Sequence, residues 1–124
     1  MNIINTNNAP GAIGPYSQAT EVNGLIFVSG QLPIDPSTGN LVTGDIKAMT
    51  RQSMNNIKAI LECCGSSMDK ILKTTILVKD LSLFCDVNSA YGEFFEKNKP
   101  ARSCFEVSNL PKGAMIEIEA IAHK

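Results

Sequence analysis

Residues Asp45 to Gly65 read "DIKAMTRQSMNNIKAILECCG", and the architecture turns on their periodicity. Ile46, Met49, Ile57, Ile60, Leu61 and Cys64 recur at helical spacing, which predicts one amphipathic helix. Asp45 is placed to cap its N-terminus and Gly65 to end it as the C′ residue. A helix of that length spans ~30 Å. Its apolar stripe needs something to lie on, and the flanking segments supply strands.

On the N-terminal side, "YSQATEV" and "LIFVSG" have strand character. They are separated by Asn23-Gly24, a dipeptide that favours a tight hairpin turn. "NNAPGAIGP" (7–15) and "LPIDPSTGN" (32–40) read as loops, because Pro and Gly punctuate both. On the C-terminal side, "ILKTTILVKD" (71–80) is rich in β-branched residues and reads as a strand. Asp80 or Ser82 is placed to cap a second helix whose face holds Phe84, Val87, Tyr91 and Phe94. "ARSCFEV" and "MIEIEAIA" close the chain as two strands around the turn signal "LPKG", near enough in sequence to pair as a hairpin. The order is roughly β-β-β-α-β-α-β-β, which predicts an α+β fold with one sheet and two helices on one face. The other face also carries apolar side chains, so a homo-oligomer closed through that face is expected.

Composition narrows the function classes. The 124 residues suit a single domain over 1–124 with a core of its own. The net charge of −1 gives no electrostatic footprint for nucleic acid or anionic lipid. Cys63, Cys64, Cys85 and Cys104 form no C-x-x-C pair, which predicts a reducing, cytoplasmic setting, with an organelle as the alternative. With His123 as the sole histidine, no metal site is expected. The N-terminus has neither a basic nor an apolar leader pattern, and no apolar run reaches membrane-spanning length.

The chemistry-bearing residues gather near the end of the chain. In a strand over Ala101–Val107, Arg102, Cys104 and Glu106 share one side while Ala101, Ser103, Phe105 and Val107 share the other. Glu117 and Glu119 share a face of the last strand. The plainer reading is an internal ion pair between Arg102 and one of these glutamates across the closing hairpin. The alternative follows from the count of charges. One guanidinium cannot satisfy Glu106, Glu117 and Glu119 together, so a partly desolvated carboxylate is left to act as a base. Spare guanidinium donors would then grip an incoming carboxylate. That set suits a small anionic substrate attacked by water.

Other candidates are weaker singly. Cys104 has no histidine in its segment and reads as a small apolar filler. Gly11 and Gly14 read as turn glycines, because the lysine and serine of a phosphate loop are missing. Tyr16 reads as a loop anchor. Ser29-Gly30 either ends a strand or offers a backbone N–H to a ligand. Asn88 falls one residue off the apolar stripe of the second helix and reads as a surface asparagine.

Taken together, "GPYSQA", "SGQLP", "KTTILVKDL", "VNSAYGEFF", "PARSCFEV" and "LPKGAMIEIEAIA" resemble the RidA/YjgF family of reactive-intermediate deaminases in order and spacing, over essentially the whole chain. The resemblance implies a chorismate-mutase-like α+β fold with one mixed six-stranded sheet, and a homotrimer with sites between subunits. It implies hydrolysis of 2-imino acids or enamines (2-iminopropanoate, 2-iminobutanoate) to 2-keto acids and ammonia, without cofactor or metal. It also implies a functional link to the pyridoxal-phosphate dehydratases that release such imines. By the same resemblance Arg102 binds the substrate carboxylate and Glu117 positions or activates water. Tyr16, Ser29, Gly30, Asn88 and Cys104 match positions lining the family pocket. Two other roles reported among relatives are binding of small carboxylates without catalysis, and ribonuclease or translation-inhibitor activity. One departure stands out. The connection "EKNK" before Pro100 is shorter than usual, with Lys99 where an aromatic residue is customary.

Overall fold

The first helix, α1 (Ile46–Cys63), starts where the Asp45 carboxylate accepts a hydrogen bond from the Ala48 N–H at 2.9 Å. At its end Gly65 takes φ +81°, and the N–H groups of Gly65 and Ser66 donate to the carbonyls of Glu62 and Leu61. That Schellman arrangement places a residue in the left-handed region, where glycine has no steric penalty. The structure, a computed structural model, describes residues 1–124. The buried face of α1 holds Ile46, Met54, Ile57, Ile60 and Leu61, together with polar Thr50, Ser53 and Asn56. Asn56 is tolerated there because its Nδ2 donates to the carbonyls of Leu32 and Ile34, tying the preceding loop to the helix.

The strands are β1 (Asn2–Ile4), β2 (Ala19–Val22), β3 (Leu25–Gln31), β4 (Ile34–Asp35), β5 (Asn40–Leu41), β6 (Ile71–Val78), β7 (Ala101–Glu106) and β8 (Ile116–His123). The second helix, α2, covers Phe84–Gly92. Six strands form one mixed sheet in the order β1-β2-β3-β8-β6-β7, with β6 and β7 parallel and the other pairs antiparallel. Asn23 (φ +52°) and Gly24 (φ +79°) both lie in the left-handed region, as the tight turn between β2 and β3 requires.

Several expectations need correction. The last two strands do not pair as a hairpin: β6 lies between β7 and β8 and bonds to both. A parallel β6–β7 pair needs a crossover, and α2 with its flanking turns provides it. The N-terminus supplies an edge strand, β1, too short to show a period. The segment "LPIDPSTGN" holds a small hairpin, β4–β5, closed by Gly39 at φ +77°. Asp80 caps a 3-10 turn over Leu81–Leu83, and α2 begins only at Phe84. Phe94 lies beyond the end of α2, and Phe95 is the ring that is buried.

Alternation along the strands divides the sheet into two faces. Ile116, Ile118, Ala120 and Ala122 of β8 are buried in the same core cluster as Ile26, Val28, Ile76 and the apolar residues of α1. A bidentate pair, Arg51 with Glu93 at 2.8 and 2.9 Å, links α1 to the end of α2. The opposite face has no helix. It leaves Phe27 43% and Phe105 55% exposed, with Ile3, Val22 and Leu25 also exposed. An apolar sheet face of this kind is the uncovered surface expected from the sequence.

Candidate active site

Glu117 sits on the helix-free face of β8, in a cavity of about 640 Å³ that Tyr16, Ser29, Gly30, Lys112 and Glu119 also line. Its carboxyl is half-buried, and burial pushes its pKa above the ordinary carboxylate value, with the nearby Glu119 charge pushing the same way. The register between β3 and β8 shifts between Val28 and Gln31, and this bulge brings Gly30 against Glu117. A Cβ on Gly30 would lie 2.8 Å from Glu117 Cδ and 2.9 Å from Oε2, so glycine is what admits the carboxyl. Ser29 Oγ donates to the Ser17 carbonyl at 2.6 Å, holding the bulge to the loop that carries Tyr16. Tyr16 is more than half exposed, its hydroxyl accepting a 3.4 Å bond from the Ile13 N–H.

Arg102 stands on the other face. Its register partner on β6 is Thr74, whose buried hydroxyl is 2.6 Å from the Tyr91 hydroxyl of α2. Arg102 Nη1 donates to Asn88 Oδ1 at 2.6 Å, and its Cζ lies 5.2 Å from the ring centroids of both Phe84 and Tyr91. The ion pairs of the chain are Arg51–Glu93 and Lys124–Glu21, so Arg102 has no carboxylate partner. The expected pairing of Arg102 with Glu106, Glu117 or Glu119 is therefore absent within one chain. Glu106 accepts from the Leu81 N–H at 2.9 Å instead. Cys104, two residues along β7, is partly buried against the core. Burial pushes its thiol pKa up, more than the Arg102 charge pulls it down, so the thiol stays protonated at neutral pH.

The sequence-predicted residues thus form two groups. Tyr16, Ser29, Gly30 and Glu117 gather around the cavity on one face, while Asn88, Arg102 and Cys104 gather beside α2 on the other. Asn88 is no bland surface residue, since it supplies the one hydrogen bond to the guanidinium. Tyr91 of the expected apolar face is buried in the core, and Phe84, Asn88 and Tyr91 also follow an i, i+4, i+7 pattern that places them on one helix side, next to β7. Lys112 also escaped notice. It takes φ +58° in the turn before β8, unusual for a residue with a side chain, and lines the Glu117 cavity. No three His, Cys, Asp or Glu side chains converge as a metal-binding group.

Residues 6–124 match the family described as endoribonuclease L-PSP. The chain belongs to this RidA/YjgF family. Among RidA/YjgF relatives, a RutC family protein of Pyrococcus horikoshii is 53% identical over 122 residues, covering 98% of this chain and 97% of the relative. The 2-iminobutanoate/2-iminopropanoate deaminase of Escherichia coli is 51% identical, covering 96% of this chain and 94% of its own. The crystal structure of E. coli TdcF with bound serine superposes with a TM-score of 0.96 at 42% identity, covering 100% of this chain and 99% of that one. The mixed six-stranded sheet with its two helices is the fold of these RidA/YjgF structures.

Proposed function

We propose that this chain is a 2-imino acid deaminase, hydrolysing 2-iminopropanoate and 2-iminobutanoate, or their enamine tautomers, to 2-keto acids and ammonia. It acts as a homotrimer whose sites join Arg102 of one subunit to Glu117 of the next. The observation that carries this reading is the state of Arg102. A guanidinium held by one neutral amide and two rings keeps its charge and most of its donor fork for a guest carboxylate. The relatives named for imine hydrolysis support the choice of substrate.

An imine carbon is already electrophilic, so the protein needs to orient the substrate, place a water and move protons. Arg102 fixes the carboxylate end. Water adds to the carbon of the protonated imine while its proton passes to Glu117. The neutral carboxyl returns that proton to the nitrogen of the carbinolamine. The C–N bond then breaks with its electron pair leaving on ammonia, and the hydroxyl passes its proton back to the Glu117 carboxylate as C=O forms. A carboxyl whose pKa is raised toward neutrality suits both directions of transfer. No step calls for a metal or cofactor. Tyr16, Ser29, Gly30, Asn88 and Cys104 complete the walls, and the unpaired cysteines suit the cytoplasm.

The test is a coupled assay in which a pyridoxal-phosphate dehydratase releases imine from serine or threonine. Added protein should speed 2-keto acid release, and a rate equal to spontaneous hydrolysis would overturn the proposal. The serine held by E. coli TdcF favours a second reading, a trimeric binder of small carboxylates without turnover. Glu117→Gln separates the two: lost turnover with retained binding fits the enzyme, and unchanged behaviour fits the binder. The family description as endoribonuclease gives a third reading, against which the net charge of −1 weighs. Salt-insensitive, negligible RNA binding would dispose of it.

A further inference from the structure

The guanidinium of Arg102 raises a problem of placement. A carboxylate would hold it firmly but would also compete with the substrate for its donors. The structure solves this with groups that attract a cation yet carry no charge. Phe84 and Tyr91 each present a ring at 5.2 Å from Cζ, within the range of cation–π attraction, and Asn88 Oδ1 takes one N–H at 2.6 Å.

We propose that Phe84 and Tyr91 are positioning residues that act through Arg102 and set how tightly the site takes a substrate carboxylate. The inference rests on Arg102 being the carboxylate-binding group of the reading above. Both rings are themselves fixed. Tyr91 is buried, its hydroxyl bonded to Thr74 at 2.6 Å and its ring 4.9 Å from the Phe95 ring. Thr74 is the β6 residue directly beside Arg102 in the sheet, so strand register and ring position set the guanidinium together. Phe84 opens α2, immediately after a turn whose first two residues are held by carboxylates. Asp80 Oδ1 accepts from the Ser82 N–H at 2.9 Å, and Glu106 of β7 accepts from the Leu81 N–H. The guanidinium is thereby pinned before any ligand arrives, and less side-chain freedom is lost on binding.

The measurement is the Kd of 2-oxobutanoate by calorimetry, alongside kcat and KM for the dehydratase-generated imine. Phe84→Leu keeps apolar bulk but removes the π face. It should raise Kd and KM roughly ten-fold, with the loss concentrated in KM, as for a partly desolvated cation–π contact. Phe84→Tyr, which keeps the ring, should restore most of that loss. A merely structural role would lower the melting temperature of Phe84→Leu and leave Kd unchanged, overturning the proposal. Should Phe84→Leu fail to fold, phenylalanines of increasing fluorination at position 84 keep the size and drain the ring face. Kd should then rise with each fluorine, and a flat series overturns the proposal. Wild-type protein that binds 2-oxobutanoate without hydrolysing imines would defeat the deaminase reading alone, and the Kd series still decides the role of Phe84. Wild-type protein that binds no small carboxylate would overturn both.

Discussion

Arg102 and Glu117 make opposite use of burial. Arg102 is steadied by neutral groups and keeps its charge available, whereas Glu117 is half-buried beside Glu119 and pays for it in a raised pKa. Arg102→Ala is expected to weaken 2-oxobutanoate binding by roughly 2–5 kcal/mol, read as the rise in Kd by calorimetry. Lysine at that position should recover little, because an ammonium lacks the planar fork. The shift at Glu117 has a direction in pH. Its carboxyl binds a proton more readily in the folded chain than in the unfolded one, so folding is disfavoured by this group as pH rises through the raised pKa. Glu117→Gln should therefore lose activity yet melt at a higher temperature than the wild type at neutral pH. The gap should close as pH falls into the ordinary carboxylate range, and calorimetric melting across pH checks it. At this scale the sequence singles out both residues but misplaces one relative to the other. It joins them through a hairpin, because nearness along the chain says nothing about a strand inserted between two others.

Among the elements, the bulge in β3 matters most. It sets Gly30 under the Glu117 carboxyl, where a single methyl group would collide at 2.8 Å. Gly30→Ala is expected to displace the carboxyl and cut kcat by on the order of 10²-fold, as misplacement of a catalytic group by ~1 Å does. Steady-state kinetics beside an unchanged circular dichroism spectrum would isolate that effect. Much of the element map was legible beforehand. Asp45 and Gly65 bracket α1 because side-chain capping and positive φ leave clear residue signatures, and Asn23-Gly24 marks its turn for the same reason. β1, β4 and β5 span three, two and two residues, too few for periodicity to register. The bulge was hidden for another cause: "SGQ" reads equally well as the end of a strand or the middle of one.

For the whole molecule, the decisive fact is that the candidate residues occupy opposite faces of one sheet. If copies complete one another, mixing two inactive variants should revive the protein. Subunits carrying Arg102→Ala and Glu117→Gln, unfolded and refolded together, regenerate intact sites at random in about a quarter of subunit junctions. Recovery of roughly that share of wild-type activity is expected, while either variant refolded alone stays inactive. The two-faced character was foreseeable, since alternation along β8 already separated isoleucines from glutamates. What no single strand could disclose was that Arg102 falls on the helix side, because that depends on the parallel pairing of β7 with β6. If the uncovered face of Phe27 and Phe105 is where copies meet, activity has a threshold. In the proposed trimer a chain just released from the ribosome would own half of each site and be silent, so the rate per milligram should collapse on dilution below the point where copies part company.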